Sequence, residues 1–216
     1  MVGMAEAWNE APLRIGVVAM QGAFREHARA IRTLGAEAVE VRRPEQMEGL
    51  DGLILPGGES TAIGQLIQEF GLDPALRRFA EEGRPVYGTC AGMILLAKDV
   101  AGSQQYRLGL MDMRAQRNAF GRQRESFETG LAVPALGEEP FPAVFIRAPY
   151  IESVQSPCEA LAVYGDKIVM AREGRFLATA FHPELTADLR VHRYFLDMVR
   201  QAKEERDLAK GRAGVL

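Results

Sequence analysis

Three side chains in this sequence have the types and surroundings that nucleophilic chemistry requires. Cys90 is the centre of Gly88-Thr89-Cys90-Ala91-Gly92, between the short stretch 85–87 (PVY) and the apolar run 93–97 (MILLA). That order reads as strand, sharp turn, helix. It is the layout of a nucleophile elbow, in which the central residue rides a strained turn and small neighbours two positions either side let the turn close. A cysteine at the start of a helix also faces the positive end of the helix dipole, which favours thiolate over thiol. The same pentapeptide suits a small cysteine packed between glycines, because free cysteine is among the most buried residue types. The elbow therefore needs a base before it means catalysis.

The chain offers three histidines, His27, His182 and His192. His27 falls on the apolar stripe of the first expected helix, and His192 lies in the last one between Val191 and Arg193, so both read as packing or surface residues. His182 stands in Phe181-His182-Pro183-Glu184, directly after the apolar stretch 176–180. This puts it at the C-terminal edge of a sheet, where α/β active sites collect and where Cys90 would also emerge. Glu184 can reach back to the imidazole, fix its tautomer and stabilise its protonated form, and Pro183 stiffens the pair. Alone, 182–184 is a polar strand end with an exposed loop carboxylate; beside Cys90 it reads as a base and its orienting acid. The run 55–60 (LPGGES) ends another strand and starts another helix. Its two glycines can turn amides into a cleft, so Gly58, with the amide of Ala91, could hold an oxyanion, although the run could also be only a turn. Cys158, beside Pro157 and outside any motif, reads as a structural or surface thiol.

The elements that must carry these residues follow from the apolar pattern. Residues 13–20 (LRIGVVAM) open as a buried strand. Phe24, His27, Ala28, Ile31 and Leu34 then recur at helical spacing, with Gly35 where a helix C-terminus places it. Residues 38–41 and 52–55 give two more strands, the latter stopped by Pro56-Gly57-Gly58. Ile63, Leu66, Ile67 and Phe70 mark a helix face. Asp73-Pro74 has the N-cap and first-turn chemistry for a further helix carrying Leu76 and Phe79, and 85–88 returns as a strand. From Leu108 the texture changes to short strand-like runs, at 143–146, 161–164, 167–171 and 176–181, which predicts antiparallel pairing. A helix from about Ala187 closes the chain, with Val191, Tyr194, Phe195, Met198 and Val199 on one face. We find no repeat and no linker. The layout is that of one three-layer α/β domain over 13–206 whose sheet mixes parallel and antiparallel strands, with 1–12 a disordered extension and 207–216 a frayed tail.

Composition narrows the function classes. With 216 residues, 47% of them hydrophobic, the chain can bury one sizeable core without disulfides. A net charge of −3, from 29 acids and 26 bases, argues against a nucleic-acid surface. No stretch approaches the roughly 20 apolar residues that span a bilayer. Residues 1–12 lack both a basic leader and an apolar run. Two widely spaced cysteines form neither a metal cluster nor a disulfide framework, which fits a reducing, cytoplasmic setting and calls for no metal or cofactor.

The motifs extend well beyond the elbow: Gln21-Gly22 after the first strand, LILPGGEST at 53–61, GTCAGMILLAK at 88–98, RNAFGRQRESFE at 117–128, FIRAPYIE at 145–152 and FHPELT at 181–186. Together they resemble the class I (triad) glutamine amidotransferases, and within them the branch that supplies ammonia for vitamin B6, the glutaminase subunits of pyridoxal 5'-phosphate synthase. The resemblance implies a flavodoxin-like fold with a mixed, mostly parallel sheet, and a catalytic triad of Cys90, His182 and Glu184. It implies glutamine binding at Gly58, Glu59, Ser60, Arg117, Ile146 and Arg147. Of the basic run Arg114, Arg117, Arg122 and Arg124, which could otherwise be a solvated hairpin, only Arg117 carries over. The implied partner is a (β/α)-barrel synthase subunit that receives ammonia and switches the glutaminase on, with Gln21-Gly22 helping to transmit activation. Two rivals are a cysteine hydrolase or chaperone of the related flavodoxin-like group, against which FHPE and PGGES argue, and a non-catalytic regulatory subunit, against which the intact triad argues.

Overall fold

A computed structural model describes residues 11–117 and 126–213. The first half alternates strand and helix, as its apolar pattern predicts: β1 (Arg14–Val18), α1 (Phe24–Thr33), β2 (Glu37–Val41), β3 (Gly52–Leu55), α2 (Ser60–Glu69), α3 (Asp73–Glu81), β4 (Val86–Thr89) and α4 (Ala91–Leu96). The apolar run after the elbow does not stay helical. It passes at Ala97 straight into β5 (Ala97–Val100), which pairs in parallel with β6 (Met111–Gln116). There follow β7 (Ser126–Leu131), β8 (Phe141–Ile146), β9 (Tyr150–Val154), β10 (Glu159–Tyr164), β11 (Lys167–Glu173), β12 (Phe176–Thr179) and a long α5 (Arg190–Ala213).

The main sheet runs β2-β1-β3-β4-β12-β11-β9-β6-β5, with β10 pairing β11 off that path. Its β2 to β12 half is parallel throughout. Antiparallel pairing enters where β12 meets β11, and continues through β9 to β6. The change of texture along the sequence thus marks a change of strand direction. A separate antiparallel hairpin, β7–β8, lies over the end of the sheet, where Phe141 and Phe145 pack on Phe181 with ring centroids 5.6 and 5.8 Å away.

Alternation along β4 shows the layering. The Tyr87 ring packs against His27 of α1 and against His192 and Phe195 of α5, whereas on Gly88 an added Cβ would strike the backbone of Gly92 in α4. Helices α1 and α5 therefore cover one face and α4 the other, and α2 packs on α4. The core between these layers is continuous, with Ile15, Leu53, Ile54, Tyr87, Phe181 and Phe195 essentially inaccessible to solvent.

Two expectations about helix ends need correction. Asp73 is the first residue of α3 rather than its cap. Its carboxylate is taken by Arg77 Nε at 3.0 Å and by the Tyr106 hydroxyl, so it ties the loop before β6 to the helix instead of satisfying helix amides. The last helix also runs seven residues past Arg206, to Ala213. Residues 204–210 (EERDLAK) contain no helix breaker, and the turn at 203–206 is anchored by Lys203 and Arg206 on Asp51 and by Glu205 on Arg175. The extension 1–10 and most of the RNAFGRQRESFE motif, including Arg122 and Arg124, fall outside the described residues. Among those described, no helix is long and apolar enough to cross a membrane.

Candidate active site

The parallel strands β4 and β12 lie side by side, with Thr89 opposite Thr179. Their C-terminal ends bring Cys90 and His182 to the same edge of the sheet. Cys90 adopts φ 50°, ψ −103°, a left-handed conformation that a side-chain-bearing residue enters only under constraint. The constraint is visible: the Cys90 amide donates to Thr179 O at 2.8 Å, while Ile94 N already reaches back to Cys90 O to begin α4. Both flanking glycines are forced. A Cβ on Gly92 would collide with the carbonyl of Leu55, and one on Gly88 with that of Gly92. The elbow read from the pentapeptide is a strained strand-to-helix turn that closes only because its neighbours are small.

His182 is held by its own amide, which donates to Val144 O at 2.8 Å, and its Nδ1 lies 2.6 Å from Oε1 of Glu184. Both are buried, at 7% exposure each, so Glu184 is not the exposed loop carboxylate of the simpler reading. Burial, the largest influence on His182, opposes its protonation. Interactions with Cys90 and Glu184 outweigh it and raise its pKa to about 10. Burial likewise pushes the Glu184 carboxyl upward, but His27 and His182 prevail and hold it below the usual carboxylate range. This arrangement favours a charged imidazolium between the Glu184 carboxylate and the Cys90 sulfur.

A cavity of about 290 Å³ opens over Cys90, and Gly58, Glu59, Ser60, Ala91, Arg117, Ile146, Arg147 and His182 line it. The structure brings every candidate residue read from the sequence to this one place; Glu184 stands behind His182 rather than in the wall. Gly58 has φ 151°, a region open to glycine alone. Ala91 opens α4, where the first amides have no acceptor within the helix. Arg147, at the end of the β7–β8 hairpin, has φ 39° and is the other described non-glycine residue with positive φ. Glu59 caps α2 through Thr61 N at 3.0 Å and Ala62 N at 2.7 Å, and its second neighbour is Arg117 Nη2 at 3.3 Å. Burial pushes the Glu59 carboxyl up slightly, but those two amides and Arg117 bring it below its ordinary value.

Sequence reasoning missed Gln105. Gln105 Oε1 accepts from Arg117 Nη1 at 2.9 Å and from Ser60 Oγ at 3.3 Å, so it fixes both. It lies in a loop where no periodicity or motif singles it out. Gly57 sits against both His182 and Cys90: a Cβ there would stand 2.5 Å from His182 Cε1 and 3.3 Å from Cys90 Cβ. Gln21 Oε1 accepts from Glu59 N at 3.0 Å, and Gly22, at φ 85°, packs on the Gly57 carbonyl. The Gln21-Gly22 pair is thereby tied to the loop that carries Gly58. Cys158 is buried and remote from this cavity; burial, with Glu173 and Asp112 nearby, pushes its thiol up to about 11.

Comparisons with known proteins agree on one family. The model of the SNO glutamine amidotransferase family matches residues 17–201. The pyridoxal 5'-phosphate synthase subunit PdxT of Moorella thermoacetica is 65% identical over 187 residues, spanning 87% of this chain and 100% of that protein. Its counterpart in Pelotomaculum thermopropionicum is 62% identical, spanning 86% of this chain and 94% of the relative. A crystal structure of a glutamine amidotransferase aligns with a TM-score of 0.81 at 51% identity, covering 86% of this chain and 98% of that one. A putative GMP synthase component from Thermoplasma acidophilum, at 19% identity and a TM-score of 0.65, covers 92% of this chain and 99% of its own and shares the fold.

Proposed function

The chain belongs to the SNO glutamine amidotransferase family, and on that footing we propose that it is a glutaminase, with Cys90, His182 and Glu184 releasing from glutamine the ammonia that a pyridoxal 5'-phosphate synthase consumes. The observation that carries this reading is the convergence of two adjacent strand ends on one cavity, with the Cys90 elbow on β4 and the His182–Glu184 pair after β12.

Arg117 offers a cation to the α-carboxylate of glutamine, and Glu59 offers an acid to its α-ammonium group. Ser60, Ile146 and Arg147 complete the enclosure. The side-chain amide then reaches Cys90. Sulfur attacks the amide carbon, and the amides of Gly58 and Ala91 receive the negative charge that develops on oxygen. His182 gives its proton to the departing nitrogen, and ammonia leaves a γ-glutamyl thioester on Cys90. His182, now neutral, takes a proton from water as that water attacks the thioester, and glutamate departs while the sulfur returns to its resting state. Glu184 keeps Nδ1 protonated and the ring in place throughout.

Ammonia at neutral pH is mostly protonated and then not nucleophilic. A glutaminase that serves biosynthesis gains from delivering it through an enclosed path, and a docked (β/α)-barrel synthase subunit would complete one. The relatives, named as subunits of pyridoxal 5'-phosphate synthase, support that partner. The test is glutamate release from glutamine, with and without the synthase subunit, by the wild type and by Cys90→Ala. We expect release that rises with the synthase and vanishes in the variant; release persisting in Cys90→Ala would remove the mechanism.

A further inference from the structure

Glu184 uses one carboxylate oxygen on His182. The other, Oε2, is buried and makes no hydrogen bond of ordinary length. Its nearest partner is Nε2 of His27, 3.5 Å away on α1, and both side chains are wholly shielded from solvent. The same His27 Nε2 lies 3.1 Å from Oγ1 of Thr89, the residue just before Cys90. His27 Nδ1 in turn lies 2.9 Å from Nε2 of His192 on α5, which is also fully buried. His192 Nδ1 has no hydrogen-bond partner among the described residues. Two histidines that sequence reasoning assigned to packing or surface therefore extend the His182–Glu184 pair into the core.

The tautomers follow from counting donors. If His27 carried its proton on Nδ1, a lone pair on Nε2 would face the Glu184 carboxylate. His192 would then have to place its own proton on Nδ1, a buried donor with nothing to accept it. If His27 carries the proton on Nε2, that N–H donates to Thr89 Oγ1 with Glu184 Oε2 3.5 Å from the nitrogen, and His27 Nδ1 accepts from His192 Nε2–H. Only an unprotonated nitrogen of His192 is then left alone, the cheaper omission. Both rings are neutral. Burial lowers the His27 pKa, with Glu184 and Glu26 opposing and His182 assisting; burial and then His27 bring His192 down to about 3 against the pull of Glu184.

We propose that His27 is a positioning residue for glutamine hydrolysis: its Nε2–H steadies the free oxygen of Glu184 and ties that carboxylate to the Cys90 elbow through Thr89, and His192 selects the tautomer that makes this possible. The inference rests on the reading of Cys90, His182 and Glu184 as the catalytic triad. A neutral donor suits the task. It holds Oε2 without adding a second positive charge that would compete with the His182 imidazolium for the carboxylate.

The test has two arms. In the full-length wild-type chain, the nitrogen resonances of labelled histidine should show His27 neutral and protonated on Nε2 from pH 6 to 8; protonation on Nδ1, or a charged ring, overturns the proposal without any variant having to fold. In the complex with the synthase subunit, His27→Phe keeps a ring but removes the donor. We expect kcat for glutamate release to fall by roughly 10- to 100-fold with KM little changed. The acid limb of kcat/KM should move to higher pH by about half a unit or more, because Glu184 loses a donor that favours its ionised form. His27→Gln, which restores an N–H, should recover most of the loss and return the acid limb toward its wild-type position. An acid limb in His27→Phe that coincides with that of the wild type, whatever happens to kcat, shows a packing role and defeats the inference. Cys90→Ala, run alongside, tests the underlying reading separately: glutamate release surviving there defeats the triad itself, whichever way the His27 variants behave.

Discussion

In the proposed reaction the chemistry turns on His182, because its charge depends on what surrounds it. Its ordinary pKa is about 6.5, and contacts with Cys90 and Glu184 lift it to about 10 against the opposing effect of burial. The ring is therefore an imidazolium across neutral pH, as the proposed proton transfer to the departing nitrogen requires. A group whose folded pKa is raised adds stability that is fully present below its unfolded value and fades as pH climbs. For His182 that window opens near 6.5 and closes near 10. Proton NMR of the ring should find a midpoint close to 10 in the wild type, and a lower one in Cys90→Ala, where one of the raising partners is gone. A midpoint unchanged by Cys90→Ala would show that sulfur and ring do not interact. The two cysteines should differ just as sharply. Both are buried, but Cys90 lines the cavity and Cys158 does not, and the Cys158 thiol, pushed up to about 11, is hardly ionised at pH 7.5. Iodoacetamide at that pH should alkylate Cys90 first, as peptide mapping would show, and prior incubation with glutamine should slow it. Preferential modification of Cys158 would contradict this account of thiol reactivity.

At the scale of elements, the site depends on how closely backbone segments approach one another. The loop after β3, the elbow after β4 and the segment after β12 meet where Gly57 leaves no room for a side chain, so a methyl group there must displace the His182 ring or the Cys90 side chain. Gly57→Ala should therefore cost about 100-fold in glutaminase turnover, the penalty for a misplacement of about 1 Å, while circular dichroism stays that of the wild type. Full activity in Gly57→Ala would mean that the triad tolerates such movement. Much of this arrangement was legible beforehand. The helices α1, α2 and α3 and the strands β1, β3 and β4 each carry a strong period or a buried apolar run. The elbow and the FHPE segment announce themselves by residue type. Less legible was anything that depends on residues far apart in the chain. β12 pairs with β4 across a long excursion through seven other strands. β5 only begins in the apolar run that reads as helix, and its centre, the exposed Lys98 and Asp99, carries no buried-strand signature. His27 and His192, 165 positions apart, each look like a lone histidine on a helix face. Their contact exists only because α1 and α5 cover the same face of the sheet.

For the molecule as a whole, the sheet has two poles with separate duties. At the N-terminal ends of the strands, Asp51 accepts from Arg14 N at 3.0 Å and from Lys203 Nζ at 3.2 Å, with Arg206 3.9 Å away, so it fastens α5 to β1 and β3. Asp51→Ala leaves the partly buried Arg14 amide and the Lys203 ammonium group without their acceptor. It should cost of order 1–3 kcal/mol, a fall in Tm of roughly 5 °C by calorimetry, with turnover at 25 °C unchanged. A loss of turnover as large as that of the triad variants would mean that the poles are not independent. The opposite pole carries the candidate site. There Gln21, exposed at the end of β1, holds the amide of Glu59, and Gly22 packs against the carbonyl of Gly57. A synthase subunit that docks on this edge and moves Gln21 pulls on the loop bearing Gly58, the proposed oxyanion donor, without touching Cys90 or His182. Activation by docking on this route would act on transition-state stabilisation rather than on assembly of the proposed triad. On this reading Gln21→Ala should keep whatever glutaminase rate the isolated chain has and still bind the synthase with similar affinity, yet lose most of any stimulation that binding brings. Glutamate release titrated against synthase concentration separates these quantities, the midpoint reporting affinity and the plateau reporting coupling. A plateau equal to that of the wild type would show that the signal reaches the oxyanion loop by another route.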